Sequence, residues 1–483
     1  MTALWAADSA APWVDAFAIY LALLKQLVPV AALGVLLSCL DDLAIDMLHG
    51  LYRMRDRLWR LAHGTSPVLT AEDMAATPAD WIAVFVPALR EADVIGSMLG
   101  NAVRALHYPR YRILVGTCPD DPETQAAVRA VAAADRRVLC IVADRPSSAS
   151  SKAASLNMLY RAMLDLEARG HPPFKAVVLH DAGDVLHPLE LHVFNWHIPH
   201  KALVQLPVLP LRHETQRWWQ GWSAHTCLEE FAVAHARDMM VRNWLEASLP
   251  STGIGCGFSR PALAALARQN DGLPFRTTSR SLAYDLGMSL GLRRFPALMA
   301  RVPASRYDPE CVATRCLLPG RFTALVRQRS RWLRGTALDG WRRFGWPDRP
   351  ADRYMLLRDR KALPCAFLNL VALALAMQLV LLAACARLPS WPDLPPLVEP
   401  GGVTAHLLAL TCALLVWRTV RRACITARCF GLREGLACVP RSIAAIFLHA
   451  AAASLALVDD LREKATRRPA LRRKTVPTCP VPK

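Results

Sequence analysis

Trp81-Ile-Ala-Val-Phe-Val-Pro87, Arg112-Ile-Leu-Val-Gly116, Arg137-Val-Leu-Cys-Ile-Val142 and Lys175-Ala-Val-Val-Leu-His180 are short apolar runs bounded by turn residues. Between them lie stretches of helical spacing, from about Glu91 to Leu106, Pro122 to Ala134 and Lys152 to Leu166. Continuous β-branched runs mark strands buried on both faces, and helical crossovers make neighbouring strands parallel. The pattern predicts a doubly wound α/β domain with a mostly parallel sheet, whose ligands bind beyond the carboxyl ends of the strands. No G-x-G-x-x-G and no G-x-x-x-x-G-K-[ST] stands at those ends, so neither a dinucleotide fingerprint nor a P-loop is present.

Outside this domain the chain turns apolar. Ala16 to Leu40 is broken only by Lys25 and Gln26 and is long enough to cross ~30 Å of hydrocarbon at about 1.5 Å per residue. With no small-residue cleavage site before Asp41, it reads as an anchor. Leu363 to Ala386 and Val403 to Val420 are two further spans, joined through the stiff turn Pro389-Ser-Trp-Pro-Asp-Leu-Pro-Pro. Arg53, Arg55, Arg57 and Arg60 follow the first span, Arg353, Arg358, Arg360 and Lys361 precede the second, and Arg418, Arg421 and Arg422 end the third. The positive-inside rule puts all three clusters in the cytoplasm, with the N-terminus outside. Residues 440–458 are apolar too, but spanning there would export a tail rich in Arg and Lys. A helix lying in the inner interface is expected instead.

Of the 483 residues, 53% are hydrophobic and 20% charged, which excludes disorder as the main state. The net charge of +18 is largely explained by these flanks, so it does not argue for nucleic acid as a partner. The 14 cysteines form no CxxC pair and read as reduced thiols.

Two segments can carry chemistry. His180-Asp181-Ala-Gly-Asp184 closes the fourth strand, where carboxylates on a turn can hold a divalent cation against a diphosphate. Asp at such a place also caps turns and helices, here the one beginning at Pro188-Leu-Glu-Leu191. Arg327-Gln-Arg-Ser-Arg-Trp332 puts Gln328 and Arg331 on one helix face beside Trp332, suited to phosphate, sugar hydroxyls and a sugar ring. By itself this is also a plain basic amphipathic helix preceding a membrane span.

The order of these segments resembles that of membrane-integrated family-2 glycosyltransferases, the group that includes cellulose and hyaluronan synthases. Phe85-Val-Pro-Ala-Leu-Arg-Glu91 stands at the nucleotide-loop position and Ser151-Lys-Ala-Ala-Ser-Leu-Asn157 at the Lys-x-x-x-Leu-Asn position. Asp181 falls in the metal motif, and Gln328, Arg331 and Trp332 form Q-x-x-R-W. Cys39-Leu-Asp-Asp-Leu, Glu230-Phe-Ala and Gly340-Trp-Arg-Arg-Phe-Gly-Trp346 draw the likeness toward inner-membrane transferases of phage-receptor polysaccharide systems.

The resemblance implies a GT-A-type domain at 79–350, an anchor at 1–40, a linker at 41–78, two membrane helices within 351–422, and an interfacial helix with a basic tail at 423–483. It implies a bacterial inner-membrane protein that moves a sugar, with inversion, from a UDP-sugar to a glycan or lipid-linked acceptor. Membrane lipid and an outer-membrane export partner are implied as well. Pro87, Ala88, Glu91, Lys152 and Asp181 would bind the nucleotide sugar, and Asp181 with Asp184 would hold Mg2+ or Mn2+. Gln328, Arg331 and Trp332 would hold donor and acceptor.

The chain departs from the family pattern where a base is expected. Relatives carry a Thr-Glu-Asp-Tyr-Asp-Leu-Gly-like segment; here Ser281-Leu-Ala-Tyr-Asp-Leu-Gly287 puts Ala283 at the base position. Asp285 is the remaining candidate base, although two residues along a helix is about 200° away. Gly183 stands where relatives carry an acid, and no aspartate directly follows the second strand. Three readings follow: an active transferase, a non-catalytic relative that binds UDP-sugar as a scaffold, and a simple membrane anchor.

Overall fold

A computed structural model describes residues 12–63, 69–144, 146, 151–211, 222–307, 310–318, 321–389 and 396–466. The Pro-rich turn after Pro389 and the basic tail beyond Thr466 lie mostly or wholly outside them. The four sequence runs are strands β1 (Ile82–Pro87), β2 (Tyr111–Thr117), β3 (Val138–Val142) and β4 (Ala176–Leu179). They are joined by helices Ala92–Ala105, Pro122–Ala134 and Lys152–Ala168. Local chemistry sets two helix starts. Asp121 caps the second helix through the Thr124 N–H, with Pro122 in its first turn, and Ser151 caps the third through the Ala154 N–H.

Shorter strands follow: β5 (Asp184–Val185), β6 (Leu203–Gln205), β7 (Val208–Pro210), β8 (Cys256–Ser259), β9 (Ala297–Met299) and β10 (Thr314–Cys316). The main sheet has seven strands in the order β3-β2-β1-β4-β8-β6-β9. All its pairings are parallel except those of β8 with β4 and β6. β5, β10 and β7 form a second, three-stranded sheet.

Side chains alternate across a strand, so one buried strand feeds two cores. Ile82, Val84 and Val86 of β1 pack with Ile95, Leu99 and Val128 on one face. Ala83 and Phe85 pack with Leu156, Leu159 and Phe258 on the other. That double burial accounts for the apolar runs, which lack the alternation of a half-exposed strand.

The chain divides into two compact units. One comprises His49–Arg360 and Leu455–Lys483 and contains both sheets; the other comprises Met1–Leu48 and Lys361–Ser454 and is helical. In the helical unit Leu24, Val28, Ala31 and Leu375 form a small core. Lys25, the polar break in the first span, pairs with Glu399 at 3.1 Å, and Asp46 accepts from the Trp417 indole at 3.1 Å.

Among the described residues four helices, Asp15–Ala62, Pro350–Cys385, Val403–Phe430 and Leu432–Thr466, are long and apolar enough to cross a membrane. The stretch expected to lie in the interface, 440–458, is thus the middle of a 35-residue helix that meets the same standard of length and composition. The cysteines among the described residues are free thiols.

Candidate functional site

The carboxyl ends of β1 and β4 open side by side, because Phe85 pairs with Leu179 and the His180 N–H donates to the Phe85 carbonyl at 3.1 Å. Pro87–Glu91 and Asp181 therefore leave the sheet at the same edge. The loop after β1 is fixed from below: the Ala88 N–H donates to Gly116, the Arg90 N–H to the Asp121 carboxylate at 2.6 Å, and the Glu91 N–H to the Thr124 hydroxyl at 3.0 Å. Arg90 sits at a φ of 54°, a turn that these bonds hold in place. Asp121 thus secures the nucleotide-loop position, a role its sequence setting did not reveal.

At the turn after β4 the two candidate metal ligands separate. Asp184 is buried, accepting from the Asp181 N–H at 2.9 Å and facing His180 Nδ1 at 3.2 Å. His180 Nε2 lies 2.8 Å from Glu190, so one buried imidazole joins two carboxylates. Burial alone would lower the His180 pKa, but Glu190 and Asp184 raise it to about 10. Burial raises the Asp184 pKa, and the imidazole only partly offsets it. The Asp184 carboxylate, expected from the sequence to join Asp181 at a metal, points inward and holds the turn that presents Asp181.

Asp181 faces outward. Its Oδ1 lies 2.5 Å from the Lys152 ammonium, which also donates to the Gly253 carbonyl at 3.3 Å. The Lys152 and Asp181 side chains are 39% and 50% exposed, so the pair is open to a ligand. Lys152 begins its helix at the Ser151 cap, which aims it across the sheet edge. Desolvation opposes its charge, yet Asp181 raises its pKa above the ordinary lysine value. Asn157 of the same motif has a structural task, exchanging hydrogen bonds with the Phe275 backbone at 2.7 and 3.0 Å.

The loop bearing Gly253 is held by Gln205, whose amide accepts from the Thr252 N–H at 2.9 Å and donates to the Ile254 carbonyl at 3.0 Å. Gly253 has a φ of 83°, and a Cβ there would lie 2.9 Å from the Ala283 methyl and 3.7 Å from the Lys152 ammonium. Glycine is needed on both counts. Ala283 therefore borders the Asp181–Lys152 pair, although it brings no acid. The sequence signal for Gly253 is its glycine-rich turn, Ser251-Thr-Gly-Ile-Gly-Cys256.

Asp285 is placed elsewhere. On helix Leu282–Gly291 it is buried and accepts from Arg343, whose guanidinium also donates to the Ser289 hydroxyl at 3.1 Å. Burial raises its pKa, partly offset by Ser279 and Arg343. It is not brought together with Asp181 and Lys152.

Gln328, Arg331 and Trp332 lie on helix Phe322–Leu333, which continues into a wider π-helical turn at Arg334–Asp339. Gly335 meets Ser281 so closely that a Cβ there would fall 2.2 Å from the Ser281 Cβ. The end of the Gln328–Trp332 helix is thereby docked two residues before Ala283. The Gln328 amide oxygen is buried and lacks a hydrogen-bond partner among the described residues. Arg331 is exposed; Trp332 is 38% exposed and rests edge-on against Phe231, with ring centres 5.9 Å apart. Arg329 pairs with Glu230 and anchors the helix.

The donor set argues against a metal resting on this chain. Gly183 offers no oxygen side chain, Asp184 is turned inward, and Asp181 already has an ammonium on it. Among the described residues no group of three or more His, Cys, Asp or Glu is placed to hold an ion.

The family described as Glycosyltransferase like family 2 matches residues 78–335. The chain is 32% identical over 445 residues to Bacteriophage adsorption protein B of Escherichia coli strain K12 and to Bacteriophage N4 adsorption protein B of Escherichia coli O157:H7. That alignment covers 89% of this chain and 58% of either relative, so the chain spans a little over half the length of the curated relatives it matches. A solved structure, the mannosyltransferase PcManGT from Pyrobaculum calidifontis in complex with GDP-Man and Mn2+, superposes with a TM-score of 0.53 at 18% identity. It covers 90% of this chain and 99% of its own, a likeness of fold.

Proposed function

The chain belongs to glycosyltransferase family 2, and from that premise we propose that it binds a UDP-sugar at the Asp181–Lys152 pair and passes the sugar, with inversion, to an exported glycan. The observation that carries this reading is the convergence of Asp181, Lys152, Gly253 and Ala283 at the open end of the parallel sheet, with the Gln328–Trp332 helix docked on Ser281. Pro87–Glu91 lines the nucleotide, Lys152 faces the diphosphate, and Gln328 offers to a hydroxyl the amide oxygen that has no partner among the described residues. Trp332 offers its exposed face to a sugar ring. The solved mannosyltransferase is precedent for a nucleotide-sugar with Mn2+ on this fold.

Slow transfer is what this reading expects of the chain. The position beside Lys152 from which a carboxylate would take the acceptor proton is Ala283, and lacking a general base commonly costs about 10² to 10⁴ in rate. The same observation favours a second reading, a donor-binding scaffold without transfer. In either case the arginine clusters flanking the apolar helices support a reading with the sheet domain on the cytoplasmic side of a bacterial inner membrane. The acceptor in this reading is a growing glycan or a lipid-linked sugar, with an outer-membrane export partner to receive the product.

The test is UDP release from membranes containing the chain, scanned across UDP-sugars and repeated with Asp181→Asn. Turnover that disappears in the variant supports transfer. UDP binding without turnover supports the scaffold, and neither binding nor turnover rejects the site.

A further inference from the structure

We propose that Lys152 is the built-in cation of this site: its ammonium, set between Asp181 and the Gly253 carbonyl, meets the donor diphosphate, and the chain binds a nucleoside diphosphate without a divalent metal. This rests on reading the site as a nucleotide-sugar site and goes beyond it by naming the group that answers the phosphate charge.

Mg2+ and similar ions take hard oxygens from one or two carboxylates together with the substrate phosphates. Three positions on the turn after β4 could supply them. Asp184 is buried with its carboxylate on the Asp181 N–H and His180, and turning it out would strip His180 of one of its two partners. Gly183 has no side chain. Its lack of an acid is not imposed by space, because a Cβ at Gly183 would meet nothing within 4 Å. That leaves Asp181, whose charge is already balanced by an ammonium 2.5 Å away. A dication approaching a neutral pair with a cation on its near oxygen gains little.

Lys152 has what a phosphate needs. An ammonium has three donors, and the described contacts use two of them, on Asp181 Oδ1 and the Gly253 carbonyl. A compact, partly exposed point charge is a good partner for phosphate oxygens. Its position is determined by the fold: the Ser151 cap sets the start of its helix, and the glycine conformation at 253 turns a carbonyl toward it. Asp181 orients the ammonium, which accounts for its place at the strand end without a metal.

The experiment is UDP binding to the purified full-length protein in detergent, followed by calorimetry in EDTA, in Mg2+ and in Mn2+. Wild type binds equally in all three. Lys152→Ala weakens binding in EDTA by about tenfold or more, the loss expected of a charge-assisted phosphate contact, and Lys152→Arg retains most of it. Gly183→Asp, which adds a carboxylate where there is room, makes binding respond to Mn2+. Thermal melts confirm that each variant is folded. Wild-type binding that requires Mg2+ or Mn2+, or Lys152→Ala binding as tightly as wild type, overturns the proposal and leaves the nucleotide site standing. No UDP binding in any buffer overturns the site reading and the proposal together.

Discussion

A side chain on Gly253 would bring its Cβ to 2.9 Å from the Ala283 methyl, so these positions touch at the edge of the Asp181–Lys152 pair. A carboxylate carried at 283 would enter beside Lys152, where a base is needed. Ala283→Asp should therefore raise UDP release, by about 10-fold or more if proton removal limits the rate. Unchanged release with intact UDP binding would show that something other than the missing acid limits transfer.

Asp285 gives the opposite expectation. Its carboxylate is buried on Arg343, so Asp285→Asn should leave UDP binding and release within about threefold of wild type while lowering stability by about 1–3 kcal/mol, as the Arg343 partner is weakened. A tenfold loss of turnover at unchanged stability would return Asp285 to the role of base.

The His180 triad predicts a pH dependence. The folded pKa is about 10, above the ordinary histidine value of 6.5, so the charged imidazole stabilises the fold fully below pH 6.5. That contribution fades as pH rises through 10. His180→Gln should cost roughly 3–5 kcal/mol near neutrality, as for breaking a buried ion pair. In melts from pH 6 to 10 the gap between wild type and variant should narrow with rising pH. A constant gap would mean that His180 is neutral in the folded protein.

The sheet itself is testable at Phe85, fully buried between β1 and the helix Lys152–Ala168. Phe85→Ala should destabilise the fold by about 3–5 kcal/mol in denaturant titrations. A cost below about 1 kcal/mol would contradict the double burial of β1.

The first four strands and the three helices between them were legible because their signals are local. β-branched runs, the Asp121-Pro122 start and the Ser151 cap each act within a few residues. The antiparallel insertion of β8 between β4 and β6 was not legible, since a four-residue strand acquires its place from partners far along the chain. The same holds within the site. Lys152 and Asp181 were read from their motifs, whereas the inward turn of Asp184 depends on Glu190 and on His180, whose burial no spacing reveals. The pairing of Asp285 with Arg343 joins residues 58 apart in sequence, and the Gly253–Ala283 contact joins a loop to the start of a helix that only the folded sheet brings together.

The most direct test of the account is photolabelling of the full-length protein with a 5-azido-UDP-sugar, followed by peptide mapping. Label is expected on the peptides carrying Pro87–Glu91 or Lys152–Asp181, displaced by excess UDP and weakened in Lys152→Ala. Label confined to other peptides, or label that UDP does not displace, would contradict it.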